Sequence, residues 1–502
     1  MKKTIFASLL AVGIGATASA VAPRVIFSSI VAPADLGTNV VPGYPGATWS
    51  APTGTSASRI LDGISPSSDF SRWVGVGRIE AGTTDEDCLT YGQDITTGSF
   101  NSVLRENTAM PVNGFLVDDI KNGATAINNS GLMLFGLDDT NTASSSTLDD
   151  HLMTFDGTNY TLIHSQLGAA PNLSGMFFQG AFATAALAGS DIWFGNTAGA
   201  TSGAARQTFY KNSDVQVRAT VTVPTGQAAA GTSTLSTMTA GSLKVDATGT
   251  NTAYVGTLTT PASTTVLVYN GDVKIQRNQV LPGSGFTSLV NTIDVDINMA
   301  PNGNYMARGS NVDGQDWVVR NGTVVAQKGA PVNPGSTINW DDTAFSAGFF
   351  MSMTNNYGET IVGGLTTDTN TAADAYMVAH GRLVFLKEGD EVDLTGDGVG
   401  DGVFISTFND DNGFLTDNLY WYFSGNLKDG AGNIVGNAFM RYPVPILGDV
   451  DSDDEVGASD FDIVVANFGN SPATYAEGDV DGDGEVGSTD FDIVVANFSR
   501  SR

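Results

Sequence analysis

The chain of 502 residues has one cysteine, three histidines and only 15% charged residues. The lone thiol, Cys88, rules out an internal disulfide framework, so the chain must be held together by burial. No histidine lies near Cys88 in sequence, and it is expected to be a buried or incidental residue, not a nucleophile. The histidines are His151, His164 and His380, the last in an expected hairpin turn. No His-Glu-x-x-His pair, Gly-x-Ser-x-Gly elbow or phosphate-cradling loop occurs, so the motif-borne hydrolase and nucleotide chemistries find no support and no catalytic residue is assigned. No apolar run reaches the ~20 residues that a membrane-spanning helix needs. With 53 acidic against 23 basic residues and a net charge of −30, the chain would repel the phosphates of a nucleic acid.

One shorter apolar stretch is informative. Lys2 and Lys3 precede residues 4–16, and Ala18-Ser19-Ala20 follows. A basic start, a short greasy run and small residues describe a secretory signal peptide over residues 1–20, so an extracellular or cell-surface protein is expected.

What the chain does have is glycine, 60 residues of it, together with Thr, Asn, Asp and Val, a composition of short strands joined by tight turns. Hairpin signals fall at Thr97-Gly98, Asp156-Gly157, Asn212-Ser213, Asn270-Gly271, Asn321-Gly322 and His380-Gly381, spaced 59, 56, 58, 51 and 59 residues apart. A second turn signal follows each by 32 to 36 residues: Asn129-Ser130-Gly131, Ala188-Gly189, Thr248-Gly249, Asn302-Gly303, Asn356-Tyr357-Gly358 and Asn412-Gly413. Two turns per period imply about four strands per unit, the pattern of propeller blades. Residues 439–442 read as the strand before a turn and residues 24–28 as the strand after one; paired, they complete a seventh unit and leave no open edge. The expected fold is therefore all-β: a seven-bladed β-propeller over residues 21–445, with six or eight blades, or a pair of β-sandwiches, as alternatives. The unit resembles the propeller-like repeats of secreted bacterial proteins.

The acidic residues are not spread evenly. Residues 448–498 contain fourteen Asp or Glu and no Lys or Arg. Residues 448–468 and 478–498 are identical at 17 of 21 positions. In the second copy Asp479, Asp481 and Asp483 occupy loop positions 1, 3 and 5, Gly484 position 6, Glu485 position 7 through its carbonyl, and Asp490 position 12. That is the spacing of an EF-hand-type loop, whose alternate oxygens curl around a hard cation, calcium. The first copy repeats it with Asp449, Asp451, Asp453, the carbonyl of Glu455, and Asp460, but has Asp454 where the sharp bend favours glycine, so it is expected to be the weaker site. One helix follows each loop, with Phe461, Val464, Val465 and Phe468, and Phe491, Val494, Val495 and Phe498, forming one apolar face apiece.

Two calcium loops, each followed by a single helix and duplicated within about 55 residues, resemble a type I dockerin over residues 446–502. The resemblance implies a calcium-dependent module that docks onto a cohesin domain, often on a scaffold for secreted carbohydrate-active enzymes. The family's recognition pair maps to Ala458 and Ser459 and to Ser488 and Thr489, giving Ser459, Ser488 and Thr489 as partner-binding candidates. Two departures bear on partner choice. The family's common Asn at position 9 is Gly457 and Gly487, and the usual basic residues of the helices are replaced by Val-Val-Ala-Asn.

Chemistry in the body is less legible. Asp294 and Asp296 would share one face of a strand. Asp393, Asp397 and Asp401, within DLTGDGVGDG, form either a further metal loop or a plain solvated one. Trp73 and Trp421 are expected in blade cores, with sugar stacking the alternative. The chain reads as an exported, non-catalytic binding or surface-structural protein with a calcium-dependent docking tail. The alternative is a secreted carbohydrate-active hydrolase, for polysaccharide breakdown, recruited by the same tail; carbohydrate is thus a second candidate partner.

Overall fold

The computed structural model describes residues 21–30, 39–51, 59–81, 84–94, 99–140, 149–200, 205–228, 233–262, 264–341 and 348–502. The expected signal peptide and the Thr97-Gly98 turn lie outside these residues. Among them the strands form seven antiparallel sheets.

Each sheet is an up-and-down meander of four paths, as two turns per period require. In blade one they are Leu61–Pro66, Trp73–Ala81, Thr84–Asp94 and Ser99–Arg105, hydrogen-bonded in sequence order. In blades three, four and five the first path is broken into two short strands, such as Val290–Ile293 and Asn298–Met299. Asp294 and Asp296 fall in that break, not together on one strand face, and Asp294 instead accepts a bond from Arg308 at 2.8 Å.

The hairpin signals join the third and fourth strands. Asn270-Gly271, Asn321-Gly322 and His380-Gly381 have positive φ at both positions, the geometry whose twist suits two-residue hairpins. Asp156-Gly157 opens a longer loop between Phe155 and Tyr160, in which the Asp156 carboxylate accepts the Thr158 and Asn159 amides. The second turn signals join the first and second strands, with one exception. Asn412-Gly413 lies inside the strand Val403–Leu415, at a slip of register between Phe408 and Gly413, and the connecting turn comes at Leu419, φ 59°. Glycine is needed at 413 for close approach: a Cβ there would lie 2.1 Å from the Tyr422 carbonyl oxygen.

Closure is achieved in blade seven. Val403–Leu415, Tyr420–Asp429 and Ile434–Pro443 come from the end of the body, and Arg24–Ser28 from its beginning. Arg24 pairs Arg441 and Phe27 pairs Phe439. Phe27 is fully buried, with its ring 4.5 Å from Trp49 and 5.4 Å from Phe439. Trp73 and Trp421 are buried too, so both belong to blade packing and not to a sugar platform. Cys88 is buried in blade one, and burial pushes its thiol up to about 12, which keeps it unreactive at neutral pH.

The tail, with helices α1 (Ala458–Asn467) and α2 (Ser488–Asn497), packs directly on this body. Ile446, Val450, Val456, Val464, Val480, Val486 and Val494 share one continuous apolar core with blade residues Phe385, Trp421 and Tyr442.

Candidate metal centre and docking face

The tail is built as two near-copies facing each other. Val456, which follows the first loop, exchanges backbone bonds of 2.8 Å with Arg500 and Ser499 beyond α2. Val486, which follows the second loop, pairs likewise with Gly469 and Asn470 beyond α1, at 2.8 and 3.1 Å. The crossed pairing ties each loop to the other's helix. Within the module the Phe461 and Phe491 rings meet at 5.0 Å, tilted to each other, and Val464 and Val494 are buried. The helices do not bury their whole expected apolar face: Val465, Phe468, Val495 and Phe498 are exposed. The buried stripe is instead offset by one residue, running through Asp460, Val464 and the flanking Ile463, and through Asp490, Val494 and Ile493, because position 12 must point inward to the loop.

The carboxylates gather as the spacing demands. In the first loop, oxygens of Asp449, Asp451, Asp453 and Asp460 lie within 4.8 Å of one another; in the second, those of Asp479, Asp481 and Asp483 do. Asp490 stands outside the second group, and the exposed side chains of Glu455 and Glu485 outside both, as fits residues expected to offer only a carbonyl. Asp460 accepts the Val450 amide at 2.5 Å and, with its other oxygen, the Gly457 amide at 2.8 Å. Asp490 makes the equivalent bonds to Asp481 and Gly487, both at 2.7 Å. Position 12 therefore fixes the loop and caps the start of the helix in one gesture. Burial pushes Asp449 up to about 6, with the charge of Asp460 adding to it, and burial also raises Asp479 above the usual carboxylate range. Acids made reluctant to ionise by burial and by each other are stabilised by a cation placed among them. The donors are all oxygens, with no sulfur or imidazole, which fits calcium and not zinc.

The two loops differ in backbone cost. Ser452 and Asp454 have φ of 63° and 70°, whereas Gly482 and Gly484 take the same conformation without a Cβ penalty. Glycine at 482 also answers a contact: a Cβ there would stand 2.9 Å from Pro334 of the propeller.

Ala458, Ser459, Ser488 and Thr489 are all exposed at the first turns of the helices. The inward side of the tail is held by its two cations. Arg500 pairs with Glu359 and lies over the Tyr357 ring at 5.1 Å. Arg502 donates to the Val444 carbonyl at 2.9 Å and pairs with Asp454 at 3.2 Å.

In the body, Asp393 is buried and its carboxylate accepts the amides of Gly396 and Gly398 at 2.5 and 2.8 Å, while Asp401 accepts those of Leu394 and Thr395. Asp397 binds the Val399 amide. These amides account for the loop's shape, and the three carboxylates are not among the groups gathered closely enough to share an ion.

Sequence reading missed a polar cluster between blades one and two. Lys121 bridges Asp119 and Asp138; Asp138 meets Asp150, and Asp119 meets Asp87. Burial, followed by these like charges, pushes Asp150 up to about 8 and Asp87 to about 6; burial raises Glu106 to about 7. Nearby, His151 sits between Asp139 at 3.0 Å and Ser165 at 2.9 Å, though none of these three lines the cavity along the propeller axis. That cavity holds about 1030 Å³ and is walled by the first strands of all seven blades, with Asp62, Lys121 and Asp296 among its polar groups. No short motif joins Asp87, Asp119, Lys121, Asp138 and Asp150, so nothing in the sequence singled out that cluster.

No helix of the described residues is long and apolar enough to cross a membrane. No curated protein matches the chain. Several solved structures are similar in part. They include TolB from Acinetobacter baumannii (12% identity, 52% of this chain and 51% of that one, TM-score 0.30) and the WD40 β-propeller domain of Doa1 (11%, 80% and 97%, 0.29). The propeller domain of the Trilobed protease from Pyrococcus furiosus is another (7%, 76% and 83%, 0.26). The chain thus spans about half of TolB. The dockerin type I family model matches residues 447–499. The chain is a seven-bladed β-propeller that carries a dockerin type I domain at residues 447–499.

Proposed function

We propose that this chain is an exported, non-catalytic binding or surface-structural protein that docks, when calcium is bound, onto a cohesin-type partner. The observation that carries this reading is the position of Asp460 and Asp490. Each accepts backbone amides of its acidic loop and so ties that loop to the first turn of the helix that presents Ser459, or Ser488 and Thr489. Bound calcium would supply positive charge to the carboxylates of Asp449, Asp451, Asp453 and Asp460, and of Asp479, Asp481, Asp483 and Asp490. The chain's own residues do the rest: position 12 orients the helix start, and the exposed hydroxyls meet the partner. Without a cation the clustered charges oppose this arrangement, so docking and folding of the tail are linked to metal. The test is a pull-down with the full chain from the producer's secreted and surface fraction, in calcium and in chelator. A band present only with calcium supports the reading; identical patterns contradict it.

A second reading, a polysaccharide hydrolase recruited by the same tail, draws on the acids at the axial cavity: Asp62 and Asp296 line it together with Lys121, whereas the hydrogen-bonded Asp138–Asp150 pair does not. Glycoside hydrolysis needs two carboxyls roughly 5–10 Å apart at one open site. Release of reducing ends that Asp62→Asn or Asp296→Asn abolishes would support it, and no release from any polysaccharide tested would remove it.

A further inference from the structure

The outward side of the tail carries no free cation. Arg500 and Arg502 are the only basic residues after residue 447, and both are turned to the body, on Glu359 and on the Val444 carbonyl and Asp454. Two divalent ions offset four of the fourteen negative charges in residues 448–498, so the loaded tail stays strongly acidic. Apolar surface lies amid that charge. Val465 on α1 and Phe468 just beyond its end are 49% and 58% exposed, and Val495 on α2 and Phe498 just beyond its end are 49% and 51%. These side chains sit about two and nearly three turns beyond the expected recognition residues, and an exposed acid, Asp462 or Asp492, stands one turn before each valine. Large apolar groups left half bare on a small module mark a surface meant to be covered. The same pattern on both helices argues against chance exposure at one helix end.

We infer that the tail docks on a protein face made of an apolar patch rimmed with lysine or arginine. This deepens the docking reading above and rests on it. The apolar pairs provide buried contact at the centre, and Asp462 and Asp492 choose the sign of the partner's rim, because like charges brought together at an interface are strongly disfavoured. An acidic-rimmed partner would meet uncompensated carboxylates with no basic residue to receive it.

The test uses the calcium-loaded full chain and two labelled helical peptides with the same Leu/Phe face, one rimmed with lysine and one with glutamate, followed by fluorescence anisotropy. The lysine-rimmed peptide is expected to bind tighter by roughly tenfold or more, and Asp462→Lys with Asp492→Lys to reverse that order. Replacing Val465, Phe468, Val495 and Phe498 together by serine leaves the charge unchanged and should remove binding. Equal binding of both peptides overturns the inference. So does full retention by the serine variant, which would reduce the effect to long-range charge. A calcium-dependent dimer of the chain lost in the serine variant would put a second copy on this face and also overturn it. Calcium titration of the same samples separates the two claims. Heat of binding without peptide preference sinks only the inference, whereas no heat sinks the docking reading itself.

Discussion

At the scale of single residues, the two loops show how four substitutions between near-identical copies change the physics. Ser452 and Asp454 hold left-handed backbone where the second copy uses glycine. Asp454→Gly should relieve that conformation, while losing an ion pair to Arg502 in which Asp454 keeps 62% of its side-chain surface. Arg502 is buried but keeps its bond to the Val444 carbonyl, and the solvated Asp454 contributes little, so strain relief wins, and calcium affinity of the first loop should rise by about two- to fivefold, ~0.5–1 kcal/mol. Calorimetric titration of the variant decides this, and weaker binding would show that the Arg502 contact matters more than the backbone. The ligand residues were legible in the sequence because their chemistry is local: alternate acids within twelve positions need no knowledge of the fold. Gly482 was not, since the reason for it, Pro334, is far away in sequence.

At the scale of elements, the closing strand and the seated tail are held by contacts of long range. Phe27 comes from one end of the body and is packed among Trp49, Trp73, Phe100 and Phe439. Phe27→Ala is expected to cost about 3–5 kcal/mol and to lower the melting temperature of the propeller even in saturating calcium. A melt unchanged from the wild type would mean that closure does not depend on this strand. The closing pair was readable because each half looked like a strand lacking a partner. The seat of the tail was not: Arg500 and Glu359 are 141 residues apart and neither lies in a motif. Arg500→Ala leaves Glu359, with only 7% of its side-chain surface exposed, without its cation, a loss of about 2 kcal/mol given that Arg500 itself is partly solvated. In a calorimetric scan this variant should unfold its tail before the body, whereas the wild type, with one shared core, unfolds both together. Two separate transitions in the wild type would contradict the shared core. The helices taught a related lesson. Periodicity placed them, but read Val465 and Phe468 as core, because an apolar stripe does not reveal that a loop ligand at position 12 fixes the helix's rotation.

At the scale of the whole molecule, acidity governs behaviour. Asp87, Glu106 and Asp150 titrate higher in the folded chain than an unfolded carboxyl does, at about 6, 7 and 8. A raised folded value means that the folded state holds its protons longer. The stability from these groups is complete below an unfolded carboxyl's value and is lost as pH rises through 6 to 8. In excess calcium, the melting temperature of the propeller should therefore fall steadily between mildly acidic and mildly basic buffer, and a rise over that range would show these acids to be ionised and well paired. The propeller itself was readable from turn spacing, since each blade repeats the same chain reversals. The cluster between blades one and two was not, because Asp119, Asp138 and Asp150 meet through the strand register of blade two and Asp87 joins them across the seam from blade one, neither of which a turn signal fixes.

The central claim is that the tail is a paired calcium module. Titration calorimetry of the metal-stripped full chain tests it most directly, comparing wild type with Asp460→Ala, Asp490→Ala and the double variant. The account predicts that each single substitution removes one bound equivalent and the double removes both, with the propeller still folded. Equal heats from the wild type and the double variant would contradict it.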